Sequence, residues 1–147
     1  MWRFIRNQRR GGGVEDLKAK KARVVARQPQ AGAQILLEHL LAEAGLGGAD
    51  LDVIGHAAMS ETDLGLAVME GKAAVGLAVA SVAHQYRLDF QPLHRERYDL
   101  AIRRRDFFEP PVQALLAFAR SPAFVERAGE MPGYNASSLG RVVYNAP

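Results

Sequence analysis

Between residues 22 and 93 the chain alternates short apolar runs with segments whose apolar side chains recur every three or four residues. Residues 22–26 carry the β-branched pair Val24 and Val25 and predict a first strand. Leu36, Leu37, Leu40, Leu41 and Ala44 then fall on one face of a helix expected over about 30–44, with Gly45 as its C-cap. Asp52-Val53-Ile54 reads as a second strand. Ser60-Glu61-Thr62-Asp63 matches a capping box, with Ser60 as N-cap and Asp63 reaching back. It opens a helix whose apolar stripe is Leu64, Ala67 and Val68 and which ends at Gly71. Residues 73–79 form a nearly continuous apolar run, the pattern of a strand buried on both faces. Ser81 is expected to cap a short helix through Tyr86, and residues 89–93 supply the next strand. Strand and helix in strict alternation predict an α/β fold with a doubly wound, mostly parallel sheet.

The flanks break this rhythm. Residues 1–13 read as an irregular segment ending in Gly11-Gly12-Gly13, and residues 14–19 as a single helical turn. His94-Arg95-Glu96-Arg97 interrupts the alternation, after which residues 98–103 predict a strand with Leu100 and Ile102 on one face. Glu109-Pro110-Pro111 opens a helix with Val112, Leu115, Leu116 and Ala119 along its stripe, since proline suits the first helical position. Ser121-Pro122 starts another helix through about Glu130, and the turn-rich tail offers Tyr134 and Tyr144 as anchors.

Length and composition narrow the function classes. With 147 residues, 48% of them hydrophobic and 24% charged, the chain is long enough for one domain with its own core. It has no cysteine, which excludes disulfides, thiolate metal sites and a cysteine nucleophile. No apolar run approaches a membrane span, and Met1-Trp2-Arg3-Phe4-Ile5-Arg6 lacks the apolar core of a secretory signal, so a cytoplasmic location without membrane contact is expected. The formal net charge of +3 is unevenly spread: residues 1–27 carry +7 and the remainder −4. Arg3, Arg6, Arg9 and Arg10, interleaved with Trp2 and Phe4, allow nucleic-acid contact through a basic arm; a solvated arm explains the same residues.

In open α/β sheets ligands sit beyond the carboxyl ends of the strands. Residues 27–34, 55–60 and 79–81 fall there. In the first of these loops Arg27 adds a planar donor fork at the strand exit, and Gly32 permits close approach of a ligand to the backbone. The N–H groups of Ala31, Gly32, Ala33 and Gln34 open the following helix, so the loop has the parts of a small anion site. His56 is the candidate histidine of the second loop, with Ser60 at its end; Val79 and Ser81 bound the third. His39 and His84 lie within helices, and no ligand-spaced histidine pair exists, so no metal is expected. There is no G-x-S-x-G elbow and no G-x-G-x-x-G loop, and nothing assembles nucleophile, base and oxyanion donor in one place. A non-catalytic binding module fits better than an enzyme, and no cofactor is expected.

Several stretches, in this order and spacing, resemble a known family: Val14-Glu15-Asp16-Leu17, Arg27-Gln28-Pro29-Gln30-Ala31-Gly32-Ala33, Thr62-Asp63-Leu64-Gly65-Leu66-Ala67-Val68, Gly71-Lys72-Ala73-Ala74-Val75-Gly76-Leu77-Ala78, Leu88-Asp89-Phe90, Glu96-Arg97-Tyr98-Asp99-Leu100, Pro110-Pro111-Val112-Gln113-Ala114-Leu115-Leu116 and Gly133-Tyr134. Over about residues 14–140 the chain resembles the substrate-binding-like domains of the type 2 periplasmic binding protein superfamily. Within it, the molybdate-binding-like sensor domains of helix-turn-helix regulators are the nearer likeness. The resemblance implies a single domain over 1–147 with two α/β lobes about a cleft: a 1–21 arm, lobe 2 over 22–93, a hinge at 94–97 and a partial lobe 1 over 98–147. It implies a small anionic ligand, such as molybdate, tungstate or an organic anion. DNA contact would come only through a fused or lost helix-turn-helix domain. Relative to the family the first lobe lacks a segment, so either the chain is a fragment or decayed gene, or the missing cleft wall is supplied by another chain, as in a homodimer. It adds Thr62 and Tyr98 to the expected ligand contacts. Oxyanion-binding relatives carry a small hydroxyl residue on each side of the loop glycine, where this chain has Ala31 and Ala33; Gln30 and Gln34 are the side chains placed to compensate.

Overall fold

The computed structural model describes the backbone of residues 2–6 and the whole of residues 13–145. Its sheet is built on the continuous apolar run. Strand β4 (Val75–Val79) is buried over its first four residues and lies in the interior of a five-stranded sheet. Beside it in the sheet run β2 (Arg23–Val25) and then the short edge strand β3 (Asp52–Val53), all three parallel. On the other side of β4 lies β1 (Trp2–Arg6), antiparallel both to β4 and to β5 (Asp89–His94). The sheet order is β3-β2-β4-β1-β5.

Strand β1 corrects the expected irregular segment at 1–13. Trp2 pairs with Val79 and Arg6 with Val75 on one edge, while Arg6 pairs with Asp89 on the other. It also makes the sheet mixed: β3, β2 and β4 are parallel, and β1 runs against both of its neighbours.

Alternation along the strands separates two cores. Val24, Val75 and Leu77 pack with Leu17 of α1 (Glu15–Ala19) and with Leu37 and Leu41 of α2 (Gly32–Glu43). Val25 and Ala78 pack on the opposite face with Leu64, Ala67 and Val68 of α3 (Glu61–Met69) and with Val82 and Ala83 of α4 (Ala80–Gln85). Gly76 brings α3 onto the sheet: a Cβ there would stand 2.6 Å from Leu64 Cδ2 and 2.9 Å from Val25 Cγ1. Ser60 caps α3 as expected, its hydroxyl accepting from Asp63 N–H at 3.0 Å while the Asp63 carboxylate accepts from Ser60 N–H at 3.0 Å. Ser81 does not cap α4. Strand β4 runs into the helix without a spacer, so Val79 is the N-cap and Ser81 lies inside the first turn.

The chain divides into two compact units, residues 1–96 and 97–147. In the second, α5 (Pro110–Ala119) and α6 (Pro122–Gly129) start where Pro110 and Ser121-Pro122 predict. Ser121 Oγ accepts from Phe124 N–H at 3.3 Å. Phe118 and Phe124 meet edge to face at 5.6 Å. The strand expected over 98–103 does not form. Those residues are irregular, with Tyr98 89% and Leu100 54% exposed. Their alternation suits a pleated surface, but a strand also needs a ladder partner, and among the described residues they pair with none.

Candidate functional site

The first unit gathers the three expected loops at the carboxyl ends of β2, β3 and β4. Beyond β2 the backbone continues parallel to the segment after β3: Ile54 N–H donates to Val24 C=O at 3.0 Å, Ala58 N–H to Ala26 C=O at 2.8 Å, and Arg27 bridges Ala58. Gln28 Nε2 donates to Met59 C=O at 3.4 Å, a second tie between the first and second loops. The third loop joins through Glu61, the first residue of α3, whose Oε2 accepts from Val79 N–H at 3.2 Å.

Arg27 stands where these ties meet. Its side chain is 11% exposed, and Nη1 lies 3.9 Å from Glu61 Oε1. That distance gives Coulombic attraction but no hydrogen bond. Nε and Nη1 of Arg27 are buried and have no hydrogen-bond partner within the protein, and neither has Gln28 Oε1. Buried polar atoms without partners cost about 1–3 kcal/mol each, so their collection at one place needs a reason. Glu61 is itself strained electrostatically. Burial raises its carboxyl above the ordinary 4.5, and Glu96 adds to the rise, while Val79 N–H and Arg27 oppose it.

The donors of α2 are fewer than the sequence indicates. Ala31 N–H is spent on Gln28 C=O at 2.9 Å and Gln34 N–H on Ala31 C=O at 2.9 Å. Gly32 and Ala33 remain as the first-turn amides without an intrahelical acceptor, and Ala31 as N-cap supplies no side-chain cap. Gln34 is committed: its Oε1 accepts from Arg27 N–H at 3.1 Å and its Nε2 donates to Glu38 at 2.9 Å. It therefore fixes the backbone of Arg27 and keeps only the second N–H of its amide uncommitted. Gln30 is exposed.

The other expected contacts scatter. Ser60 is occupied by its capping box, and Thr62 is exposed on the first turn of α3. Val79 contributes its backbone N–H, and Ser81 is half-buried within α4. His56 is exposed and lines a separate depression of about 270 Å³ with Val25, Ile54, Met59, Asp63 and Leu66; none of its walls comes from residues 27–34. Tyr98 belongs to the second unit. Arg3 and Arg6 of the expected basic arm lie in β1, while Arg9 and Arg10 lie outside the described residues. Among the described residues no group of three His, Asp or Glu stands close enough to hold a metal ion. Nor, among the described residues, is any helix long and apolar enough to cross a membrane.

Glu61 is the side chain beside Arg27 that sequence reasoning passes over. Ser60 and Asp63 explain the acidic first turn as a capping box, which leaves Glu61 no evident task. Its signal is only positional, as the first helical residue after a loop on the ligand side of the sheet.

A family profile for the PBP superfamily domain matches residues 5–120. Among curated proteins, the chain is 27% identical over 131 residues to the uncharacterized protein YvgK of Bacillus subtilis (strain 168), a match covering 89% of this chain and 42% of that protein. It thus spans about two-fifths of that relative's length. It is 26% identical over 110 residues to an uncharacterized protein from the 5′ region of a 2Fe-2S ferredoxin gene of Clostridium pasteurianum, covering 74% of this chain and 97% of that protein. No solved structure is significantly similar to the chain. A mixed α/β sheet with loops gathered at its carboxyl ends, together with a profile match over most of its length, makes this chain a member of the PBP superfamily, with a periplasmic-binding-protein-like domain.

Proposed function

We propose that the chain is a non-catalytic small-anion sensor domain and that Arg27 is the residue that takes the anion's charge. Domains of this superfamily generally bind small ligands without transforming them. The observation that carries the finer reading is the Arg27 guanidinium, with buried Nε and Nη1 lacking any partner at the carboxyl end of β2. An oxyanion or carboxylate accepts charge-assisted hydrogen bonds from such a guanidinium. The amides of Gly32 and Ala33 add donors at the positive end of the twelve-residue helix α2. Molybdate, tungstate and small organic anions all meet this requirement. In this reading residues 22–93 are lobe 2, completed by β1 as a lobe-crossing strand, residues 94–97 are the hinge and residues 98–147 belong to lobe 1. The division of the chain between residues 96 and 97 supports that boundary. The type 2, doubly wound arrangement, the cytoplasmic location and an origin in a transcriptional regulator belong to the same proposal.

Isothermal calorimetry against molybdate, tungstate, sulfate, hydrogen phosphate and small carboxylates tests it. Binding of at least one anion that Arg27→Ala weakens by about ten- to a hundredfold is expected, the value of a hydrogen bond to a charged group. Equal binding by a folded Arg27→Ala protein contradicts it.

A second reading has its own observation. In the second unit Tyr98, Phe108, Val142 and Tyr144 are each more than 60% exposed. A homodimer that covers them would make this chain an interaction module. Light scattering at micromolar concentration decides: a monodisperse monomer counts against it.

A further inference from the structure

We propose that the depression beside α3 is a second ligand site, separate from Arg27, and that it takes a small organic cation with an apolar body, of the arylalkylammonium class.

The depression exists because the sheet outruns its cover at one edge. Helix α3 is pinned over β2 and β4, where Leu64 and Val68 pack with Val25 and Ala78. The edge strand β3 lies beyond β2, and both of its residues are exposed. The segment after β3 is tied to β2 by Ile54 N–H on Val24 C=O and Ala58 N–H on Ala26 C=O. It therefore follows the sheet and does not close onto the helix. A hollow of about 270 Å³ is left between residues 54–59 and α3.

Its floor is apolar: Val25, Ala58 and Ala67 are buried beneath it. Ile54, Leu66 and Met59, the last 70% exposed, form walls. A ligand that covers them removes apolar surface from water. An apolar cavity of about 150 Å³ admits a benzene ring, so this hollow has room for a ring and a short chain. The Met59 thioether adds a favourable sulfur–aromatic contact to such a ring.

The rim decides the charge. Asp63, Leu66, Ala67 and Glu70 recur at helical spacing and so share one side of α3, which sets two carboxylates beside the apolar floor. Asp63 Oδ2 accepts from Ser60 N–H, and its other oxygen has no partner among the described residues. The rim's ammonium, on Lys72, lies 2.6 Å from Glu70 and is already neutralised. An anion of the same body would meet both carboxylates and find no uncommitted ammonium. A cation lays its body on the floor and donates to Asp63 in a charge-assisted hydrogen bond. The sign is opposite to that of the Arg27 site, so the two sites take different ligands.

Nuclear magnetic resonance of the ¹⁵N-labelled full chain tests the proposal, with three probes of similar body: phenethylammonium, phenethyl alcohol and phenylpropionate. Phenethylammonium should shift the amides of Ala57, Met59, Leu66 and Ala67 saturably, with a dissociation constant of about 1 mM, in keeping with so small a ligand. At these amides the alcohol should bind more weakly, and phenylpropionate about tenfold or more weaker than the ammonium. Asp63→Asn keeps an oxygen for Ser60 N–H and removes the charge. It should weaken phenethylammonium by about three- to tenfold and leave the alcohol unchanged. Glu70→Gln, on the exposed end of the rim, serves the same purpose if Asp63→Asn does not fold. Met59→Ala should weaken both the ammonium and the alcohol, and methylammonium, which lacks the body, should not saturate. Equal affinity for all three probes, shifts unmoved by Met59→Ala, or no saturable shift with phenethylammonium would overturn the proposal.

Discussion

The two units of this chain treat apolar side chains in opposite ways. In residues 1–96 the sheet is covered on both faces, and Leu64, Leu77, Val24, Val25 and Val68 are fully buried. In residues 97–147 only Leu116 and Ala119 are buried among the described residues, while Phe118, Val125, Tyr134 and Val143 stay half or more exposed. Both units have well-started helices, so helix signals do not account for the difference. A sheet does: it offers two faces on which β-branched and aliphatic residues can be shut away from water, and the second unit has no sheet among its described residues. Rigid placement of the largely enclosed Arg27 side chain draws on the first arrangement. The candidate site accordingly lies at the end of a core strand.

That contrast sets the order of expected mutational effects. Leu64→Ala and Leu77→Ala, one on each face of the sheet, should each cost about 2–5 kcal/mol in urea unfolding, whereas Phe118→Ala, 58% exposed, should stay within about 0.5 kcal/mol. A comparable cost at Phe118 would break the comparison. Gly76→Ala should cost about 1–3 kcal/mol, because its Cβ would press on Leu64 and Val25 and the strand must shift to admit it. Ser60→Ala should cost about 1 kcal/mol through loss of the α3 cap. Hydrogen exchange should sharpen the same point, with amides of α5 and α6 opening more readily than those of β4 and α3.

The smallest expected effect is a tilt with pH. Glu61 titrates above its ordinary 4.5 in the folded chain, so the folded state binds more protons than the unfolded state between that value and the raised one. Stability from this group is full below the ordinary value and is lost as pH rises through the raised value. Urea midpoints of the wild type should therefore fall across that window relative to Glu61→Gln. Parallel curves would remove the carboxyl from consideration.

The sequence made β2 to β5, α2 and the α3 cap legible because their signals are local: periodicity, a capping box and glycine stops. It hid β1. Trp2–Arg6 mixes aromatic, aliphatic and charged residues, and its place in the sheet comes from pairing with residues 75–79 and 89–94, far away along the chain. Residues 98–103 show the converse, a strand pattern without a partner. At the site, Arg27 and Gly32 were legible from the strand–loop–helix order. The place of Glu61 was not, since its contacts with Val79 N–H and Arg27 exist only once the strands bring their loops together. Nor does any local pattern show that Gln34 is committed to Arg27 N–H.

The most direct test is nuclear magnetic resonance of the ¹⁵N-labelled chain during titration with hydrogen phosphate, sulfate and molybdate. It resolves the Arg27 Nε–H resonance together with the amides of Gly32 and Ala33. The expected result is a saturable shift of these three signals with a common dissociation constant, abolished in Arg27→Ala. Shifts confined to the exposed arginines at 103–105, or to His56 and its depression, would contradict an anion site at Arg27.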